Sequence, residues 1–187
     1  MHNALRFEFD HGNVEAYVHL AIGLHDPTAN YSAAEHGLGP RILANSSPRR
    51  IFDFANELFQ VSNPKEIPDV IYGARIPYLK ISVGSEMAAM LRPDQNWVTN
   101  VRTVYSSLLL RHQGYVIRAN EELSLYRDQD RDSEMDYAIW RDFHQHLGDD
   151  LLQLATLGNR VAATQEIEPG GISFGSIGVS GSCSKRR

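Results

Sequence analysis

The sequence predicts a mainly α-helical protein, a compact bundle of five or six helices with a small β element near its N-terminus. Three observations lead to this prediction. Apolar residues recur every three to four positions over most of the chain after residue 94, which is the period of an amphipathic helix. Ser47 and Pro48 form a typical helix start before another such run. Glycine and serine dominate the last twenty residues, where little apolar surface is available for burial.

We therefore expect one helical domain over residues 1–166 and a flexible Gly/Ser-rich tail over residues 167–187. A chain of 187 residues suits a single domain, and at this size about 70% of the unfolded surface can be buried without a metal or a disulfide. The lone cysteine, Cys183, has no disulfide partner within the chain. No leader-like start and no apolar run of about 18 residues is present, so we expect a cytoplasmic location.

The elements of the first half follow from alternation, spacing and turn formers. Residues 5–10 alternate between apolar and polar side chains, which predicts a half-buried strand. Helical spacing begins at Asn13, and residues 25–47 are rich in Gly, Pro, Asn and Ser, which predicts a long loop. A helix then starts at Ser47 and Pro48. Its apolar stripe consists of Ile51, Phe52, Phe54, Ala55, Leu58 and Phe59.

The second half is predicted to be helical almost throughout. Three prolines limit residues 62–82 to short helical pieces or a brief strand. Capping residues, glycines and prolines then divide the remaining chain into separate helices. The predicted helices run from Ser85 to before Pro93, from Asp94 to Gly114, from Tyr115 to Tyr126, from Asp132 to Gly148, and from Leu151 onward.

Charge is distributed unevenly along the chain. Residues 121–150 contain ten acids and three bases, whereas residues 41–118 contain ten bases and six acids. Such an asymmetry can steer a charged partner or favour head-to-tail self-association. A homodimer is a further form of self-association that we consider. The simpler interpretation is that the acids form solvated helix faces and caps.

Two patterns look like known functional motifs but lack required residues. Residues 171–175 match the G-x-S-x-G pattern of hydrolases, yet no His, Asp or Glu follows them. Residues 128–136 space their carboxylates as a calcium loop does, but Ser133 replaces the required Gly and Ile139 replaces the bidentate Glu. No zinc motif and no phosphate-binding glycine motif occurs, so we expect no metal and no cofactor.

A third pattern places an arginine and a histidine five positions apart, in the hexapeptide Arg141-Asp142-Phe143-His144-Gln145-His146. It resembles the motif of the HEPN ribonucleases, small all-helical prokaryotic proteins that often dimerise and cleave RNA without a metal. The resemblance implies that His146 acts as the acid or base on the 2′-hydroxyl and that Arg141 stabilises the scissile phosphate. Asp142, four residues before His146, could orient its ring.

Arg49 and Arg50 occupy the first turn of a predicted helix, where cations are unfavourable by about 0.3–1 kcal/mol each. Two guanidinium groups beside free amides form a plausible site for a phosphate or a carboxylate, and the hydroxyls of Ser46 and Ser47 could contribute. Docking of the acidic residues 121–150 would explain the same arginines without a ligand, and we favour that explanation.

We interpret the chain as a non-enzymatic protein-interaction or regulatory module, of prokaryotic style, that acts through its charged faces, on a protein partner or on itself. Two alternatives stay open. One is a metal-independent ribonuclease that uses Arg141, Asp142 and His146, and the other is an anion or nucleotide binder at Ser47, Arg49 and Arg50. Nucleic acid is the less favoured partner because acidic neighbours repel phosphates, and we expect no membrane association.

Overall fold

The computed structural model describes residues 2–24, 29–127 and 134–164. In these ranges the chain forms ten α-helices and one 3-10 turn, with no strand. The elements are α1 (His2–Asp10), α2 (Val14–Ala21), α3 (Tyr31–Glu35), α4 (Leu38–Asn45), α5 (Pro48–Gln60), the 3-10 turn (Pro64–Glu66), α6 (Ile67–Ala74), α7 (Ile81–Leu91), α8 (Val101–Arg111), α9 (Val116–Arg127) and α10 (Glu134–Thr164). The mainly helical class is confirmed, and the predicted count of five or six helices is too low.

Several predictions concern residues outside these ranges. They are the Gly/Ser-rich tail over 167–187, the Asp132 helix cap and most of the calcium-like stretch. None of the described helices combines the length and the apolar character needed to cross a membrane. Within the same ranges, no three His, Cys, Asp or Glu side chains are grouped so that they could hold a metal ion.

The predicted N-terminal strand is wrong, because residues 2–10 form helix α1. Leu5 and Phe9 are buried in the core, whereas Phe7, which alternates with them, is exposed. Positions four apart share one helix face, so Leu5 and Phe9 satisfy helical spacing as well as alternation. Arg6 and Asp10, also four apart, form an ion pair with 2.8 Å between nitrogen and oxygen.

The predicted loop over residues 25–47 contains two helices, α3 and α4, in its described part. Its turn formers act as helix-start residues instead. The Asn30 side chain accepts a hydrogen bond from the Ala33 amide at 3.0 Å, and Pro40 lies in the first turn of α4. The buried Glu86 carboxylate of α7 accepts hydrogen bonds from the first two backbone amides of α3, at 2.6 and 2.9 Å.

Helix α7 is the centre of the larger core. Ten of its eleven residues are buried, and helices α1, α3, α5 and α6 pack around it. A helix that is buried on all sides has no polar face to mark its limits. Ser85 was therefore misplaced as a cap, since it lies inside α7 and accepts a hydrogen bond from the Thr99 amide at 2.9 Å.

A smaller core forms between α8, α9 and α10. Helix α8 begins after Asn100 rather than at Asp94, because Asn100 and Thr103 form a reciprocal capping box. The buried side chains of this core come from all three helices, and Trp140 of α10 packs against both the smaller and the larger core. The buried members of the smaller core are Val104, Leu108, Ala119, Leu123 and Phe143.

Helix α10 continues through Gly148, where a break was predicted. Gly148 is buried beneath the indole of Trp97, and a Cβ at this position would collide with the indole carbons Cζ2 and Cη2. The glycine therefore permits close packing inside a helix rather than ending one. Trp97 also packs with Leu147 and Leu151, which fixes the segment before α8 against α10.

His144 of α10 forms hydrogen bonds to the 3-10 turn and to the segment before α8. Its ring stacks on Trp97 with 4.8 Å between centroids, and the Trp97 indole N–H donates to the His144 carbonyl at 2.8 Å. The Nε2–H donates to the Pro64 carbonyl at 3.0 Å, so Nδ1 accepts from the Thr99 hydroxyl at 2.6 Å. Both ring nitrogens are thus satisfied by the neutral form of the imidazole.

Candidate functional site

Arg141, Asp142 and His146 lie on the exposed side of α10 or near it. His146 is exposed, and its Nδ1 lies 2.7 Å from the Asp142 carbonyl oxygen. Residues five apart on a helix point about 140° apart around its axis. The Arg141 and His146 side chains therefore leave the α10 backbone in different directions. The ribonuclease hypothesis stays a prediction.

The same interval occurs between Arg6 of α1 and His11, which follows the last residue of that helix. His11 Nδ1 lies 2.8 Å from the carbonyl of Phe7, four residues earlier, as His146 does from Asp142. The Phe7 carbonyl also accepts from the His11 backbone amide at 3.1 Å. The contact between the His146 ring and the Asp142 carbonyl is therefore not specific to the hexapeptide.

His144, two residues earlier in the same hexapeptide, was not predicted as a special residue, yet it is buried. Burial lowers its pKa to about 4, and the hydrogen bond to the Pro64 carbonyl opposes only part of this shift. A histidine that is neutral and enclosed by protein cannot reach a substrate. His144 therefore contributes to stability rather than to chemistry.

The predicted anion site lies at the N-terminus of α5, where Ser47 accepts a hydrogen bond from the Arg50 amide at 3.3 Å. Both arginines already have partners. Arg49 pairs with Asp53 at 3.0 Å, and Arg50 Nη2 donates to the carbonyls of Ala74 and Arg75 at 3.1 and 3.3 Å. These carbonyls end α6 and carry partial negative charge, which explains a cation at the start of α5.

The same arginines line a cleft of about 290 Å³, together with two carboxylates, Asp53 and Glu57. Carboxylates at the rim oppose the binding of an anion. The partners that the sequence argument favoured, the acidic residues 121–150, are not the ones that Arg49 and Arg50 contact in the described part of the chain. Anion binding at Ser47, Arg49 and Arg50 stays a prediction.

An exposed group of apolar side chains was not predicted from the sequence. Helices α8 and α9 form an antiparallel hairpin, and four large apolar side chains at its turn are 50–58% exposed. We name this surface, with the exposed Arg118 beside it, the hairpin tip. Its members are Leu110, Tyr115, Val116, Ile117 and Arg118.

A signal for the hairpin tip does exist in the sequence. Tyr115, Val116 and Ile117 are adjacent, and three consecutive residues cannot all face one side of a helix. The buried face of α9 is supplied by Ala119 and Leu123 instead. At least one of the three apolar side chains therefore had to remain outside the core.

A charged cluster beneath the hairpin tip holds α8 and α9 together. The half-buried Glu122 carboxylate accepts from Arg111 at 2.9 Å, from His112 at 2.6 Å and from the Tyr126 hydroxyl at 2.8 Å. Burial raises the pKa of Glu122, but these hydrogen bonds and the charge of Arg111 outweigh it, so the pKa lies below its usual value. The ionised carboxylate thereby fixes the hairpin.

A second uncovered surface is a shallow groove between α5 and α6, with a volume of about 600 Å³. We name it the α5–α6 groove; its lining residues are Asn56, Glu57, Gln60, Val61, Val70 and Gly73. Most of the lining surface is apolar.

Comparison with known proteins found no matching family model, no similar curated protein and no similar solved structure.

Proposed function

We propose that the protein is an interaction module and that the hairpin tip is its contact surface for another protein. The supporting observation is the cluster of four large apolar side chains, each at least half exposed, within residues 110–117. Single exposed apolar residues are ordinary on protein surfaces, but a contiguous group of them is typical of a contact site.

The charged residues support this proposal less than we expected from the sequence. Glu122 pairs with Arg111 and His112, and Asp149 pairs with Lys65 at 2.9 Å. Each of these acids comes from the stretch with the largest negative charge. An acid with an internal partner has less free charge to offer another protein, so we assign the contact to the apolar tip.

The Glu122 cluster also favours binding by the hairpin tip. Two hydrogen bonds, from Arg111 and His112 at the end of α8 to Glu122 of α9, hold the hairpin, and such a surface loses little conformational entropy when a partner covers it. The tip is therefore pre-organised. Tyr115 and Arg118 supply the two residue types that are enriched where proteins bind each other, an aromatic ring and a guanidinium group.

The native size of the protein in a cell extract tests the proposal. The wild-type chain is expected to elute in a complex larger than the monomer, and the variant Val116→Ser/Ile117→Ser is expected to elute as the monomer. Because both positions are exposed, the free energy of unfolding of the variant should lie within about 0.5 kcal/mol of the wild-type value. Its melting temperature should therefore change little.

Leu152→Ser is the matched control, since Leu152 is exposed to the same degree but lies on α10. It should elute with the wild-type protein. A monomeric wild-type protein, or a double variant that keeps the wild-type size, would rule out the hairpin tip as a contact surface.

A further inference from the structure

We infer that the partner of the hairpin tip is the α5–α6 groove of a second copy of this chain, so that the copies associate head to tail. This inference rests on the proposed function, because it takes the hairpin tip as the contact surface. It adds the identity of the partner, and the shape, the composition and the charge of the two surfaces support this identity.

The shapes and compositions of the two surfaces match. The hairpin tip is the convex end of two helices, and the α5–α6 groove is concave and lined by Val61 and Val70. Gly73 is exposed, and a Cβ built there would meet no atom within 4 Å. The missing side chain leaves room for an apolar residue such as Ile117 to enter the groove.

The charges of the two surfaces are complementary. Arg118 stacks over the Tyr115 ring at 6.0 Å but forms no ion pair with any described residue. Glu57, which lines the α5–α6 groove, is exposed and has no ion-pair partner among the described residues either. Its neighbour Asp53 is already paired with Arg49. When the tip of one copy enters the groove of another, Arg118 of the first copy is therefore available to pair with Glu57 of the second.

The two surfaces belong to different parts of the fold. Helix α10 packs against α6 through Tyr137, which stacks on Tyr72 with 4.3 Å between centroids, and against α8 through Phe143. It thereby lies between the element that carries the groove and the hairpin that carries the tip. Contact between two different surfaces is heterologous, so an open assembly keeps one free tip at one end and one free groove at the other until a ring closes.

Mixing two purified single variants tests the head-to-tail contact. Ile117→Asp damages the tip and leaves the groove intact, whereas Gly73→Lys fills the groove and leaves the tip intact. The full-length wild-type chain should grow in mass with concentration by sedimentation velocity, and each variant alone should be monomeric. A mixture should form a one-to-one pair, because it contains one intact tip and one intact groove.

A charge exchange tests the predicted ion pair and controls for misfolding. Arg118→Glu and Glu57→Arg should each weaken association at least about tenfold, and the double variant should restore it, which a folding defect could not do. A monomeric wild-type chain, a mixture that stays monomeric, or a double variant without recovery would overturn the inference. If wild type is monomeric when pure but the complex in extracts still depends on the tip, the proposed function stands and only the identity of the partner is wrong.

Discussion

Acidification from pH 6.5 to pH 4 is expected to remove about 3 kcal/mol of stability through His144 alone. Its pKa is about 4 in the folded protein, against an ordinary value of 6.5. The unfolded chain therefore binds more protons between these two values, and the free energy of unfolding rises with pH across that window. The contribution is complete above pH 6.5 and is lost as the pH falls toward 4, at about 1.4 kcal/mol per pKa unit.

Urea unfolding at several pH values measures this effect. Other groups also titrate in acid, Glu122 among them. The pKa of Glu122 in the folded protein lies below its ordinary value of 4.5, so stability is lost as the pH falls below 4.5. The His144 share is isolated by the variant His144→Gln, which cannot titrate and should show a much flatter slope between pH 4 and 6.5. The exposed His146→Gln should keep the wild-type slope. Equal slopes in all three proteins would contradict a buried neutral imidazole.

Opposite effects on stability are expected when alanine replaces two glycines of the same helix. At Gly158 an added Cβ meets no atom within 4 Å, so Gly158→Ala should stabilise α10 by up to about 1 kcal/mol through its higher helix propensity. At Gly148 the Cβ would collide with the Trp97 indole. Overpacking of this kind costs about 1–3 kcal/mol, so Gly148→Ala should destabilise the protein.

The collision at Gly148 is hard to relieve because Trp97 is held in place. Its indole N–H donates to the His144 carbonyl, and its ring is stacked on the His144 imidazole. Thermal unfolding of the two alanine variants measures the difference. A Gly148→Ala protein as stable as Gly158→Ala would mean that the indole moves freely and that α10 is not fixed at this point.

The helical class could be predicted because long amphipathic stripes dominate the sequence after residue 94. Helix α5 was predicted from its cap, its proline and its apolar stripe. The errors have one physical origin. Asn30, Pro40 and Gly148 were interpreted as turn formers, but tertiary contacts use them to cap, start or closely pack helices. Leu5, Phe7 and Phe9 likewise fit two periods, and only packing decides between them.

The candidate sites show the same division between local and tertiary information. The cap at Ser47 was predicted, since it depends on neighbours in sequence. The partners of Arg50 were not, because the carbonyls of Ala74 and Arg75 lie 24 and 25 residues away. The three adjacent apolar residues 115–117 indicate that one of them stays outside the core, but the exposure of Leu110 depends on how much of the hairpin α10 covers, which no local pattern specifies.

A photo-reactive residue in place of Ile117 tests most directly whether another chain covers the hairpin tip. In cells that produce the full chain, we expect a cross-linked peptide that joins position 117 of one copy to groove residues between Asn56 and Gly73 of a second copy. A different isotopic label identifies the second copy. The same probe at the exposed Gln153 of α10 should give no such product. If the probe at position 117 reacts only with solvent or with its own chain, the hairpin tip is not a contact surface.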